Sequence, residues 1–276
     1  MFLCAAVNVE YSSGLAYPNG KKVALIGAGC ASLAVANDLA PLGYQLTMFE
    51  KLDVTGGLMR SNIPSFRLPV DVINDEIGQI VERGVTLKCN HPIKSMKALL
   101  EEDYDAVFVG TGAPKGKNLK IPGRDEAAAN IHIGIEWLES VAFDHIEKIG
   151  KNVLIIGVGN TAMDCCRTSL RLGADSVKVM ARKPRAFFKA SAWELDDAEE
   201  ENVEIVINRS PKEFVVENGK LVGMRFDKVR AEYDDNGKRS LVSMGEAPVL
   251  IECDDVCIAI GQDNAFPWIE RDLGLE

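Results

Sequence analysis

Two short glycine-rich turns, each directly behind an apolar run, constrain this chain more than any other feature. The first reads Lys22-Val-Ala-Leu-Ile-Gly27-Ala28-Gly29-Cys-Ala-Ser32, and the second Asn152-Val-Leu-Ile-Ile-Gly157-Val-Gly159-Asn160-Thr161-Ala162. Each pattern is that of a buried strand turning into a helix whose N-terminus can hold a pyrophosphate. The first glycine makes the bend and the second lets the backbone approach the phosphates. A small third residue, Ser32 or Ala162, lets the helix lie close on its strand. A lone Gly-x-Gly says little, but here each turn sits inside a strand, helix and second strand. Two such units in one chain imply two dinucleotides, the layout of a flavoprotein that exchanges hydride with a nicotinamide.

The residue closing each second strand separates the two ligands. Glu50 ends the strand Gln45–Phe49, where a carboxylate accepts from both hydroxyls of an adenosine ribose, as in FAD or NAD, and repels a 2′-phosphate. At the equivalent place in the second unit stand Arg182, Lys183 and Arg185, with Lys189 shortly after. Cations there favour NADP over NAD, because charge-assisted contacts to phosphate are strong.

The hydrophobic periodicity predicts strands at Val23–Ile26, Gln45–Phe49, Val85–Cys89, Tyr104–Val109, Val153–Ile156 and Ser176–Ala181. It predicts helices at Ser32–Leu42, Val70–Arg83, Ile133–Val141 and Asn160–Leu172. Trp193–Glu201 reads as an acidic helix with a solvated face. Val203–Asn208, Pro211–Val216 and Leu221–Val229 alternate like strands, Tyr233 to Lys238 reads as a hairpin turn, and Asp255–Ile260 is a last strand. The fold class is α/β, with two Rossmann-like dinucleotide-binding domains, an FAD domain carrying an inserted NAD(P) domain. The expected boundaries are an N-terminal extension over 1–20, the first part of the FAD domain over 21–125, the NAD(P) domain over 126–254, and a return toward the FAD domain over 255–276.

Composition closes off other classes. With 276 residues, 47% hydrophobic, and a formal net charge of −10, the chain can bury a large core and has no general affinity for nucleic acid. No run reaches the roughly 18 to 20 apolar residues of a spanning helix, and the opening residues lack the basic start of a signal peptide. A cytoplasmic location is expected. The seven cysteines are odd in number and mostly lie inside apolar patterns, as reduced buried cysteines do. Cys253 and Cys257 lack a second ligand pair and the three histidines are scattered, so no metal site is expected.

The chain resembles NAD(P)H-binding flavoprotein subunits of the glutamate synthase small-subunit type, including the corresponding region of dihydropyrimidine dehydrogenase. The carrying motifs are Gly27 to Leu33, Phe49-Glu50-Lys51, Gly56-Gly57-Leu58 and Ile63-Pro-Ser-Phe-Arg67-Leu-Pro69-Val-Asp71. Further on come Gly110-Thr111-Gly112-Ala113, Ile121-Pro-Gly123, Gly157 to Asp164 and Ala259-Ile260-Gly261-Gln262. The resemblance implies that Gly29, Glu50, Gly57, Leu58 and Arg67 contact FAD, with Arg67 near the flavin. It implies that Gly159, Asn160, Thr161, Arg182, Lys183 and Lys189 hold the nicotinamide dinucleotide, and that Ala259, Ile260 and Gly261 lie where nicotinamide meets flavin. With Gly27, Ala28, Ser32, Lys51, Thr111, Gly112 and Gly157 from the same motifs, these are the candidate cofactor-binding residues. No acid, base or nucleophile is assigned, because the cofactors carry the chemistry. A reactive dithiol is not expected, because Gly57 is followed by Leu-Met-Arg-Ser and Cys165 and Cys166 are adjacent in a helix, where their side chains point apart.

The implied activity is hydride transfer between NAD(P)H and FAD, with electrons passed to a partner subunit of a hetero-oligomeric complex through iron–sulfur clusters. Those clusters are expected in a partner or in a missing segment, since only Cys4 precedes the first strand. The chain also stops at Leu275-Glu276, before the Gly-Asp turn that completes the family's FAD domain. The alternative is a non-catalytic dinucleotide-binding or docking subunit with a defective flavin site.

Overall fold

The computed structural model describes residues 17–233 and 239–275; the Cys4 segment and residues 234–238 of the expected hairpin turn lie outside the described residues. The described chain divides into two compact units, one built from residues 17–57, 70–112 and 266–275, the other from Leu58–Pro69 and Ala113–Ala265.

The first unit is centred on a parallel sheet in which Lys22–Ile26 lies between Gln45–Phe49 and Ala106–Val109, with Thr86–Lys88 outside Gln45–Phe49. Val23 to Ile26 are buried one after another, as expected of a parallel strand covered on both faces. The following helix, Cys30–Leu39, tightens into a 3₁₀ turn at Ala40–Leu42 rather than running as α-helix to Leu42. Pro41 explains this, since it lacks an N–H and its ring clashes with the preceding turn; Gly43 then stops the chain at φ 83°. Ala24, Ile26, Phe49, Met96 and Leu99 form one core cluster, and Trp268, Ile269 and Leu273 pack onto it. Glu270 fastens this last segment by accepting from Ser95 Oγ at 2.5 Å and from the backbone N–H groups of Met96 and Lys97 at 3.1 Å. A carboxylate in that place satisfies donors that the start of the short helix Met96–Leu100 leaves open.

The second unit has a five-stranded parallel sheet in the order Ile131–Ile133, Asp255–Ile258, Asn152–Ile156, Ser176–Met180, Glu204–Val206. Its two faces are covered differently. Val153, Ile155, Val177, Val179 and Cys257 meet the helical layer through Trp137, Leu138, Ala162, Met163, Cys166, Leu195 and Ala198. Leu154, Ile156, Met180, Val256 and Ile258 meet Phe214, Met224 and Phe226. The last three come from an antiparallel sheet of Arg209–Glu217, Lys220–Tyr233, Arg239–Ser243 and Val249–Glu252. Asn218 and Gly219, both at positive φ, form the two-residue turn between its first two strands. Helix Asn160–Arg171 buries every residue from Ala162 to Ser169. No helix of the described residues is long and apolar enough to cross a membrane.

The partition differs from the expected boundaries in three places. Asp255–Ile258 does not return to the first unit, because it pairs in parallel on both sides within the second unit's sheet. The crossing between units falls at Gly112 rather than at residue 125, since Lys115–Gly116 already pairs with Gln262–Asp263. Residues 58–69 belong to the second unit, where Asn62 Nδ2 donates to Ile135 O at 2.6 Å.

Gly123 is a sharp test of this packing. Its φ is +81°, and a Cβ there would lie 2.2 Å from the carbonyl oxygen of Phe214. Gly123→Ala is expected to cost more than about 2 kcal/mol. A thermal melt should then fall by at least about 4 °C. A midpoint within about a degree of wild type would contradict this account of the turn.

Candidate dinucleotide-binding sites

The first glycine turn is shaped by close backbone approach. A Cβ on Gly27, whose φ is +89°, would lie 2.9 Å from Gly110 O, and a Cβ on Gly57, at φ +53°, would lie 2.9 Å from the Cα of Gly29. Gly27 N–H donates to Phe49 O at 2.8 Å, Gly110 N–H to Ile26 O at 2.8 Å, and Gly56 N–H to Ala28 O at 2.9 Å. These bonds gather Gly27, Ala28, Gly29, Gly57, Thr111 and Gly112 around the end of the central strand.

Glu50 is buried at the tip of the neighbouring strand. Its Oε2 accepts from Ala28 N–H at 2.8 Å and its Oε1 from Leu52 N–H at 3.1 Å. It therefore braces the glycine turn, and each oxygen keeps a lone pair for a further donor. Lys51 follows it on the exposed surface. Ser32 Oγ and Thr111 Oγ1 are buried without a hydrogen-bond partner among the described residues. Ser32 faces Gly110 so closely that a Cβ there would lie 2.2 Å from its hydroxyl.

The second turn repeats the geometry with other partners. Gly157 has φ +135°, and a Cβ on it would lie 2.1 Å from Ala259 O, while the space beside Gly159 is open. Gly157, Gly159 and Thr161 line a cleft of about 770 Å³ together with Arg182, Lys183, Lys189, Ala259, Ile260 and Gly261. That volume lies in the range of small-molecule sites. Val158 O accepts from the N–H groups of Lys189 and Ala190 at 3.0 Å, and Asn160 Oδ1 accepts from Ser191 N–H at 2.9 Å. Asn160 is thus placed to hold the wall that carries Lys189. Arg185 points elsewhere, into ion pairs with Asp196 at 3.1 Å and with Glu199.

Both helices that follow the glycine turns begin at Gly29 and Gly159 without a side-chain cap and without an acidic residue in the first turn. The other helices of eight or more residues carry Asp71, Glu136 or Glu194 in that place. The two glycine-turn helices leave their N–H groups and the positive end of the dipole for an anion. With the orphaned hydroxyls of Ser32 and Thr111 at the first turn and three cations at the second, the residues present fit a dinucleotide at each.

Leu58 and Arg67 belong to the second unit, whereas Gly29, Glu50 and Gly57 belong to the first. Arg67 forms ion pairs with Asp164 on helix Asn160–Arg171 and with Glu194 on helix Ala192–Glu200. Glu194 is only 1% exposed, so this acidic helix does not have the wholly solvated charges that its sequence suggests. The signal lay in its phase, since Glu194 falls on the stripe of Leu195 and Ala198. Arg167 is also buried, pairing with Asp197 and Glu201 at 2.9 Å. Burial pushes the carboxyl of Asp164 up to about 6, against the opposing pull of Arg67.

The chain belongs to the pyridine nucleotide-disulphide oxidoreductase family, which matches residues 21–276. It is 39% identical over 259 residues to the NADP(+)-dependent formate dehydrogenase subunit beta of Moorella thermoacetica, covering 92% of this chain and 37% of that one. It is 32% identical over 274 residues to the glutamate synthase (NADPH) small chain of Halomonas elongata, covering 93% of this chain and 56% of that one. Among solved structures, Mycobacterium tuberculosis FprA in complex with NADPH shares the fold, with a TM-score of 0.75 at 18% identity over 88% of this chain and 71% of that one. The chain spans 37% and 39% of the length of the beta subunits it matches.

The position of Asp164 has a pH signature. Its carboxyl titrates near 6 when folded against an ordinary value of 3.8, so the folded state binds more protons between those values. Stability from this group is full below the lower value and is lost as pH rises through the upper one, by about 3 kcal/mol. Asp164→Asn should therefore gain thermal stability relative to wild type as pH is raised from about 4.5 to about 7. Melts of the two proteins across that range check this, and a constant difference between them would refute it.

Proposed function

We propose that this chain forms the FAD- and NADP(H)-binding part of an electron-transfer flavoprotein subunit, in which hydride passes between NADPH and FAD and electrons leave to a partner subunit through iron–sulfur clusters. The observation that carries this reading is the contrast between the two turns. Both present an uncapped helix N-terminus, but Glu50 stands beside the first and Arg182, Lys183 and Lys189 line the second. A carboxylate suits unphosphorylated ribose, and a cationic rim suits a 2′-phosphate.

FAD, when bound, would supply the redox chemistry between the nicotinamide and one-electron carriers. The protein's part is to bind and orient. The N–H groups at Gly29 and Cys30 receive one pyrophosphate and those at Gly159 and Asn160 the other. Ser32 and Thr111 offer hydroxyls at the first site, and Ala259, Ile260 and Gly261 give the second an apolar wall. Relatives named as a subunit beta and a small chain support a role within a complex. The six cysteines of the described residues are free thiols, which suits the reducing cytoplasm.

Full-length protein reconstituted with FAD should be yellow and should lose its absorbance near 450 nm when NADPH is added without oxygen. Protein that binds NADPH yet stays colourless would be a docking subunit instead. Arg182→Ala should raise KM for NADPH about 10- to 100-fold while leaving KM for NADH unchanged. An unaltered ratio of the two would mean that Arg182 does not read the 2′-phosphate.

A further inference from the structure

The segment Leu58–Pro69 crosses from the first unit's chain into the second and back, and the second unit holds it at several points. Asn62 is tied to Ile135 O. The ring of Phe66 lies 3.8 Å from the guanidinium carbon of Arg171 and 5.1 Å from that of Arg167. Both guanidinium groups are themselves held by Glu201, through ion pairs of 2.6 and 2.9 Å. Arg67 then reaches two carboxylates on two different helices, Asp164 and Glu194. Glu194 is almost wholly buried; its Oε2 has no hydrogen-bond partner among the described residues, and Arg167 stands 3.6 Å from it.

Buried ion pairs rarely hold a structure together better than apolar side chains of similar volume, because desolvation offsets the attraction. What distinguishes these two carboxylates is where their helices begin. Asp164 lies three residues beyond Thr161, which lines the cleft, and so on the same helix face. Glu194 lies three residues beyond Ser191, whose N–H is bonded to Asn160, and the adjoining Lys189 and Ala190 are bonded to Val158. Arg67 therefore clasps two helices, one opening from the glycine turn that lines the cleft and the other beginning three residues after Lys189, which lines it too.

We infer that Asp164 and Glu194 are positioning residues that couple the second cleft to the 58–69 segment through Arg67. Nucleotide that fixes the Gly157–Thr161 turn against the 189–191 wall tightens the clasp on Arg67, and a firmly clasped segment favours nucleotide in return. The reciprocity follows from thermodynamic linkage. The inference rests on the reading that this cleft takes NADP(H). It assigns these residues no contact with the nucleotide and no chemical step.

Hydrogen–deuterium exchange of the full-length protein, with and without NADP⁺, tests the coupling without relying on turnover. Saturating NADP⁺ should slow exchange in residues 58–69 about 10-fold in wild type. In Glu194→Gln and Asp164→Asn that protection should shrink below about twofold and the Kd for NADP⁺ should rise about fivefold. Asp196→Asn, on the exposed side of the same helix as Glu194, should leave both quantities at wild-type values. Wild type that binds NADP⁺ with no change in exchange over 58–69 overturns the coupling and leaves the nucleotide reading standing. So do clasp variants that fold and keep wild-type affinity. Wild type that binds no NADP⁺ overturns both. The wild-type exchange arm decides the question even where a clasp variant does not fold.

Discussion

In each unit the end of the glycine-turn strand is pressed against the end of another strand until no side chain fits between them. At Gly157 the gap to Ala259 O is smaller than any Cβ contact allows, and at Gly27 the carbonyl of Gly110 leaves almost as little room. That contact fixes where the next helix starts. Because the helices then open at Gly29 and Gly159 with neither a capping side chain among the described residues nor an acid in the first turn, their leading N–H groups are left available to an anion. Close backbone packing and an available anion site are therefore two results of one arrangement. Filling the gap with a methyl group would disturb both.

The same backbone design is turned to two purposes by a few charges. Glu50 spends one lone pair of each oxygen on the turn itself, which holds the carboxylate rigidly where a ribose would need it. In the second unit the strand before Arg182 delivers cations instead, and the bonds from Lys189, Ala190 and Ser191 to Val158 and Asn160 bring a further one to the rim. On the proposed reading the selectivity is electrostatic and sits at the strand ends of a four-stranded and a five-stranded parallel sheet.

Most of the local architecture was legible in the sequence, because it is written in short-range patterns. The strand at Gln45–Phe49 falls where the apolar run places it, and helix Asn160–Arg171 ends within a residue of its expected stop. What the sequence concealed depends on partners far along the chain. Asp255–Ile258 belongs to the second sheet because of strands more than a hundred residues earlier, and no local feature announces that pairing. The 58–69 segment has the composition of a loop, and its attachment comes from Asn62 and from an arginine that meets acids on two later helices. Glu194 looked like one more surface charge because an acidic run hides the one member that turns inward.

Arg67 brings these strands of argument together. The family resemblance implies a place for it beside the flavin, and the structure gives its guanidinium to Asp164 and Glu194. These assignments are compatible on chemical grounds. A guanidinium carries five N–H donors, and one ion pair at each terminal nitrogen leaves others unspent. Its side chain is also 23% exposed, far more than either carboxylate, so the unused donors are open to a further acceptor. An arginine clasped in this way is a better fixed point charge than a solvated one, because its rotamers are already restricted before any ligand arrives. On the proposed reading the two buried acids act through the arginine, setting where a positive charge stands without touching what it would serve.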